Sequence, residues 1–179
     1  MTEKEWLASL VAPVLVVGNG PLARSLPERN YQSVVRLNNY QLGGFSGQKV
    51  THWVASGYID IEARPISPVL IPWSREFQYR PVRHDLTFGQ RVGVEVIHLP
   101  WSKHIQMWFP RALYKWKLFP SVGFCFLAWL YTKGVRPDII GFDGMQHGHF
   151  GDPNHKHGHK RTKVLEWQTI QSHFVRRVL

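Results

Sequence analysis

The chain has 179 residues, which fits one domain, or one domain with a small appendage, and is long enough to bury a core. Hydrophobic residues make up 44% and charged residues 19%, a globular composition that excludes a disordered chain. The formal net charge of +10 favours anionic partners: nucleotides, nucleic acid, acidic glycans or a membrane surface. Cys125 is the only cysteine, so no intrachain disulfide can form, and its apolar neighbours in the sequence predict a buried thiol. A single unpaired cysteine fits a reducing compartment.

The first motif in chain order is a strand followed by a glycine turn. A short helix is expected over residues 3–10, and the apolar run Val14–Val17 then predicts a strand buried on both faces. The strand stops at Gly18-Asn19-Gly20, and Pro21 suits the first position of a helix. This arrangement directs backbone N–H groups and a helix dipole at an anion. The plain alternative is a turn that uses glycine for its positive φ.

A second predicted strand, over residues 34–39, includes Arg36 and ends in two asparagines. If the first two strands are parallel neighbours, Asn19 and Asn38 lie at the same sheet edge, where their amide donors and acceptors suit a nucleotide. The G-x-G-x-x-G fingerprint of dinucleotide-binding folds fails at Ala23, and its acidic residue is absent near Arg36. A nicotinamide cofactor is therefore disfavoured.

The remaining pattern predicts an α/β fold: a single Rossmann-like domain spanning 1–179, with a mostly parallel sheet flanked by helices. Ser121 is expected to cap an apolar helix over residues 124–133, and helical spacing over 105–118 is broken at Pro110. Further strands are predicted over 49–55, 69–71 and 94–99 and from residue 138 to a turn near Gly144.

Histidines are concentrated in the flexible, glycine-rich segment 146–160, which includes His149, His157 and His159. Histidine titrates near neutrality and suits general acid–base catalysis, but it is also a metal ligand. The spacing fits no zinc pattern. A metal site, a solvated loop and an acid–base segment over the crevice all remain open.

The C-terminal stretch 161–179 is predicted to be a basic amphipathic helix. It either packs its apolar side on the domain or lies on an anionic membrane. The longest apolar stretch, 122–130, is far too short to span a bilayer, and no signal-peptide pattern is visible. The expected location is the cytoplasm, with peripheral contact at the inner face of the membrane.

The ordered motifs resemble those of the sialyltransferases of the eukaryotic type and their small bacterial relatives. The large motif of that family is matched by Val17-Gly18-Asn19-Gly20 and Arg36-Leu37-Asn38, and the small motif by Pro120-Ser121-Val122-Gly123 and Ile140-Gly141-Phe142. The third motif is matched by His149-Phe150, and the last loosely by His159 and Glu166. This chain departs from the family at Val122, Phe150 and the longer gap between His159 and Glu166.

The resemblance implies a GT-A-like fold and transfer of a keto-acid sugar, of the sialic acid or Kdo type, from a CMP-activated donor to a glycan or lipopolysaccharide-type acceptor. The implied nucleotide-binding residues are Gly18, Asn19, Gly20, Asn38, Ser121, Val122 and Gly123. It implies that His149 assists the leaving phosphate and that His159, or its rival His157, is the general base of an inverting, metal-independent reaction. Beyond the donor sugar, no cofactor is expected.

Two alternatives remain open at this point. One is a metal-dependent hydrolase that uses the histidine cluster, and the other is a non-enzymatic basic domain that binds nucleic acid. The second lacks any helix-turn-helix, zinc-finger or RNA-binding signature, so no specific nucleic-acid partner is expected. The transferred sugar, the acceptor and the oligomeric state are not determined by the sequence.

Overall fold

The computed structural model describes residues 1–20, 22, 25–38, 40, 42–44, 47–56, 65–72, 89–99, 120–142 and 160–179, with 160–163 described as backbone only. The strands are β1 (Val14–Val17), β2 (Ser33–Leu37), β3 (His52–Val54), β4 (Val69–Ile71), β5 (Val96–His98), β6 (Asp138–Ile140) and β7 (Arg177–Val178). Among the described residues, the helices with defined bounds are α1 (Glu3–Ala8), α2 (Val122–Thr132) and α3 (Lys160–Thr169), and α3 continues into a π-helical turn, Ile170–Phe174. Residues 89–92 are also helical.

The strands form one seven-stranded sheet in the order β5-β4-β3-β2-β1-β6-β7. Every neighbouring pair is parallel. The prediction of an α/β fold with a mostly parallel sheet is confirmed. The strands Val14–Val17 and Val69–Ile71 have the predicted bounds, whereas β3 and β5 are shorter than predicted. The apolar run of β1 is buried throughout because a central parallel strand is covered on both faces.

One face of the sheet is covered by α2 and by the π-helical turn. Residues of alternate parity along the strands, such as Val16, Val35 and Val54, pack with α2 and with Ile170 and Phe174 of the π-helical turn. Leu15, Val17 and Val34 point to the opposite face. There the described cover includes Leu26 and Tyr31, from the chain between β1 and β2, and Val92, from the helical residues 89–92. The single thiol, Cys125, is buried in α2, as predicted.

The C-terminal segment is not one continuous helix, which corrects the prediction for 161–179. Val175 is extended, with φ −120° and ψ 158°, and β7 then adds an edge strand beside β6. The buried carboxylate of Asp138 holds this tail, since it accepts hydrogen bonds from the guanidinium groups of Arg176 at 2.8 Å and of Arg177 at 2.7 Å. A helical pattern of apolar residues does not predict contacts between residues so far apart in the sequence.

Asp138 is also bound by the hydroxyl of Tyr31. Burial alone would raise the pKa of Asp138, but hydrogen bonds from Arg176, Arg177 and Tyr31 outweigh it and hold that pKa well below its usual range. Burial and the hydrogen bond to Asp138 raise the pKa of the Tyr31 hydroxyl.

Among the helices of the described ranges, none is both long and apolar enough to cross a bilayer.

Candidate functional site

The strand order places a topological switch point between β1 and β6. The chain proceeds from β1 to β2 on one side, while β6 lies on the other side of β1. In open parallel sheets, ligands bind outside the carboxyl ends of the strands at this point. The predicted parallel pairing of β1 with β2 is confirmed, with Val17 opposite Arg36. The residues that follow β1, β2 and β6 therefore meet at one edge.

The turn after β1 is held tightly against the turn after β6. The backbone N–H of Gly18 donates to the Ile140 carbonyl and that of Gly20 to the Gly141 carbonyl, each at 2.8 Å. A Cβ atom at Gly18 would lie 2.3 Å from the Gly141 oxygen. Gly18 does not have a positive φ in the structure, whereas Gly141 has φ 71°. Close approach of two backbones, not a positive φ, therefore requires glycine at position 18.

The helix predicted to begin at Pro21 is not found in the part of this connection that the structure describes. Pro21 itself lies outside the described residues, but Leu22 and residues 25–27 are not helical, and only Glu28–Asn30 form a 3₁₀ turn. Pro27 disfavours a helical conformation at the preceding residue. A helix confined between two prolines six positions apart is also too short to be stable alone.

Asn38 links the ends of β2 and β3. Its φ of 49° is left-handed, its carbonyl accepts the indole N–H of Trp53 at 2.8 Å, and its side-chain Oδ1 accepts the N–H of Ser56 at 2.9 Å. Its Nδ2 makes no hydrogen bond within the described residues, and neither does the side chain of the partly buried Asn19. Both asparagines thus lie at the carboxyl edge of the sheet, and their side-chain NH₂ groups have no partner among the described residues.

The amino end of α2 reaches the same edge. Ser121 caps the helix as predicted, its Oγ accepting the N–H of Phe124 at 3.1 Å. A Cβ atom at Gly123 would lie 2.9 Å from the Phe142 ring and 3.2 Å from Leu37. The first turn of α2 therefore packs against the residues that end β2 and follow β6. The backbone N–H groups of Val122 and Gly123 make no hydrogen bond within the described residues.

Glu166 of α3 completes the capping arrangement, and sequence reasoning missed this role. It is 4% exposed, and its carboxylate accepts the N–H of Ser121 at 3.0 Å and the hydroxyl of Ser121 at 2.6 Å. A carboxylate beside a helix amino terminus is favoured by the helix dipole. The spacing of Glu166, Ile170 and Phe174 at i, i+4 and i+8 was the available signal, because it places Glu166 on the buried face.

Because Ser121 uses both its N–H and its hydroxyl on Glu166, its direct contact with a nucleotide stays a prediction. The observed role of Ser121 is to fix the amino end of α2 relative to α3. Within the described residues, the donors of this turn without a partner are the backbone N–H groups of Val122 and Gly123.

Arg36, the first residue of the matched motif Arg36-Leu37-Asn38, is bound inside the fold. Its guanidinium is 1% exposed, donates to the Lys49 carbonyl at 3.1 and 3.2 Å, and lies 3.7 Å from the Glu28 carboxylate. Burial lowers the pKa of Arg36, and Glu28 partly offsets this. These contacts favour a structural role in the connection between β2 and β3.

The predicted catalytic residues His149, His157 and His159 lie outside the described residues, so their roles stay predictions. Lys160, the residue after His159, begins α3 and lies about 9 Å along the helix axis from Glu166. The end of the histidine segment is thereby tied to the helix that contacts Ser121. In the part of the chain that the structure describes, no group of three or more His, Cys, Asp or Glu residues is placed to hold a metal ion.

Comparison with models of protein families, with curated proteins and with solved structures finds no match to this chain. Inference about its function therefore rests on the motifs and on the geometry of this edge of the sheet.

Proposed function

We propose that this chain is a glycosyltransferase that moves a keto-acid sugar from a CMP-activated donor to a glycan acceptor. The observation that carries the proposal is the meeting of three segments at the switch point of a parallel sheet. These segments are the Gly18–Gly20 turn, Asn38, and the first turn of α2 at Ser121–Gly123, which are the positions matched by the family motifs. A Rossmann-like, GT-A-like fold is part of the same proposal.

The polar groups at this edge suit a ligand rich in hydrogen-bond acceptors. The backbone N–H groups of Val122 and Gly123 and the side-chain amide of Asn38 are donors, and Asn19 offers both a donor and an acceptor. A nucleoside monophosphate linked to a carboxylate-bearing sugar presents phosphate, carbonyl and carboxylate oxygens. The formal charge of +10 favours approach of such an anion.

In the proposed reaction, the acceptor hydroxyl oxygen attacks the anomeric carbon of the sugar in line with the departing phosphate. The new bond joins the acceptor oxygen to the anomeric carbon, and the bond from that carbon to the CMP phosphate oxygen breaks. His159, or His157 in its place, takes the hydroxyl proton as general base, and His149 donates a hydrogen bond to the leaving phosphate. The displacement inverts the anomeric centre and requires no metal. A reducing, cytoplasmic setting fits the single buried thiol of Cys125.

The test is release of CMP from CMP-activated sialic acid and CMP-activated Kdo, measured with a panel of glycan acceptors in excess chelator. Activity is expected to persist in chelator and to fall about 10²–10⁴-fold in His159→Ala, the usual range for lost acid–base assistance. His173→Ala is the matched control, because His173 is exposed and lies outside the histidine segment.

The same assay tests separately which histidine is the base, whether a metal is required and whether the sugar is transferred. If His157→Ala is inactive and His159→Ala unaffected, the mechanism holds with His157 as the base. Complete inhibition by chelator with recovery on adding stoichiometric zinc would replace the proposal with a metal-dependent hydrolase. Absence of CMP release from both donors with every acceptor, in protein that binds CMP, would contradict the transfer reaction.

A further inference from the structure

The helix made of α3 and its π-helical turn has an inner and an outer face. Glu166, Ile170 and Phe174, at i, i+4 and i+8, are buried against the domain. Val164 and Leu165 point away and are 48% and 47% exposed. The inner face therefore packs its apolar side chains on the domain, which was one of the two alternatives for the C-terminal stretch. The outer face still presents two adjacent large apolar side chains to solvent.

Basic positions accompany this apolar pair. Lys160 and Arg161 stand one helical turn before Val164 and Leu165, so these four positions share a face of the helix. Glu166 is the only acidic residue in the stretch 160–179, and its carboxylate is buried against Ser121. No exposed carboxylate of this helix opposes an anionic surface. Exposed apolar residues beside basic ones, with no acidic group, are typical of a helix at a membrane interface.

We propose that the outer face of α3 docks on an anionic lipid bilayer. The apolar pair enters the headgroup boundary, and the basic positions of the first turn contribute electrostatic attraction. Each lysine or arginine near an anionic leaflet strengthens binding roughly fivefold, so two of them supply a factor on the order of 30. The net charge of +10 orients the whole protein toward the same surface.

The location of this face gives it a functional consequence. α3 carries Glu166, which contacts Ser121 at the amino end of α2, so the bilayer would lie close to the candidate site. A site held there favours an acceptor glycan carried on a lipid. This consequence rests on the proposed function, whereas the docking itself does not.

Sedimentation with phosphatidylcholine vesicles, with and without an equal part of phosphatidylglycerol, tests the docking at low salt and without nucleotide. The wild type is expected to sediment with the anionic vesicles and to be released by salt. Lys160→Gln with Arg161→Gln is expected to weaken binding on the order of 30-fold. Val164→Ser with Leu165→Ser is also expected to weaken it. The matched control, Val11→Ser with Val178→Thr, changes exposed apolar residues elsewhere and is expected to bind like the wild type.

Equal recovery of the wild type with neutral and anionic vesicles would overturn the proposal. It would also be overturned if the Lys160→Gln/Arg161→Gln and Val164→Ser/Leu165→Ser variants both bound anionic vesicles as strongly as the wild type does. A concentration-dependent dimer that Val164→Ser with Leu165→Ser dissociates, without vesicle binding, would assign the face to a second copy of the chain instead. Circular dichroism establishes that all the variants are folded, which is expected for the exposed positions Val164 and Leu165. CMP binding, measured separately, shows whether the proposed function stands independently.

Discussion

The contact between Glu166 and Ser121 allows a direct test of whether the Glu166 carboxylate stabilises the amino end of α2 at the candidate site. Two substitutions separate the charge of the carboxylate from its hydrogen bonds. Glu166→Ala removes the acceptors of the Ser121 N–H and hydroxyl. Glu166→Gln keeps the shape: its oxygen can accept the Ser121 N–H, and its NH₂ group can donate to the Ser121 Oγ, which has a second lone pair.

The expected magnitudes follow from these contacts. A donor left without a partner costs about 1–3 kcal/mol when buried. Ser121 is only partly buried and water can reach it, so the two donors together give about 2–4 kcal/mol for Glu166→Ala. Glu166→Gln loses mainly the charge at the amino end of α2, which is worth about 1 kcal/mol. Against a typical unfolding free energy of about 5–15 kcal/mol, the alanine variant is clearly distinguishable from the wild type.

Urea unfolding followed by tryptophan fluorescence measures these differences as shifts in midpoint at constant slope. Gln168→Ala is the matched control, since Gln168 is exposed on the same helix and is expected to change stability by less than about 0.5 kcal/mol. CMP affinity should fall in Glu166→Ala, because the amino end of α2 loses its anchor. An alanine variant as stable as the wild type, or a glutamine variant as damaged as the alanine one, would refute this account of the contact.

Three further predictions concern other parts of the fold. Asp138→Ala should destabilise the protein by about 2–3 kcal/mol in urea unfolding, less than for a fully buried pair because Arg176 and Arg177 are more than half exposed. Burial lowers the pKa of His52 to about 4, so its contribution to stability is full above about pH 6.5 and is lost as pH falls toward 4. His52→Gln should remove this dependence, whose slope is at most about 1.4 kcal/mol per pH unit. Gly18→Ala should cost about 3 kcal/mol or more in thermal unfolding, because the new Cβ meets the Gly141 carbonyl.

Each of these three predictions can be contradicted by a specific result. Equal stability of Asp138→Ala and the wild type at neutral pH would mean that the tail is not held by that carboxylate. An unchanged pH slope in His52→Gln would assign the titration to another group. Gly44→Ala is the control for Gly18→Ala, because Gly44 has φ 53° with open space around it and tests backbone strain alone. If the two alanine variants lose equal stability, the close approach at Gly18 does not matter.

Local patterns were sufficient to predict the elements that carry the site. The β-branched run Val14–Val17 and the short run Val69–Ile71 are strands because central parallel strands need apolar side chains on both faces. Ser121 was recognisable as a cap from the apolar run that follows it. The position of Asn38 at the end of β2 followed from the pairing of the first two strands.

Features that depend on distant contacts were not predictable in this way. Glu166 lies 45 residues from Ser121, and local spacing names no partner for it. The edge strand β7 exists because Arg176 and Arg177 reach Asp138, nearly forty residues earlier, which ends the helical pattern of the tail. The helix expected at Pro21 failed for a local reason that was visible in the sequence, since Pro27 follows six residues later.

Isothermal titration calorimetry with CMP, UMP and NAD measures which nucleotide the candidate site binds. We expect that CMP binds, that NAD does not, and that Asn19→Ala weakens CMP binding by about 1–3 kcal/mol, or roughly 5- to 150-fold. Asn30→Ala is the matched control, because Asn30 is exposed in the 3₁₀ turn and should leave CMP affinity unchanged. A wild-type protein that binds NAD and ignores CMP, or an Asn19→Ala variant with wild-type CMP affinity, would contradict the account.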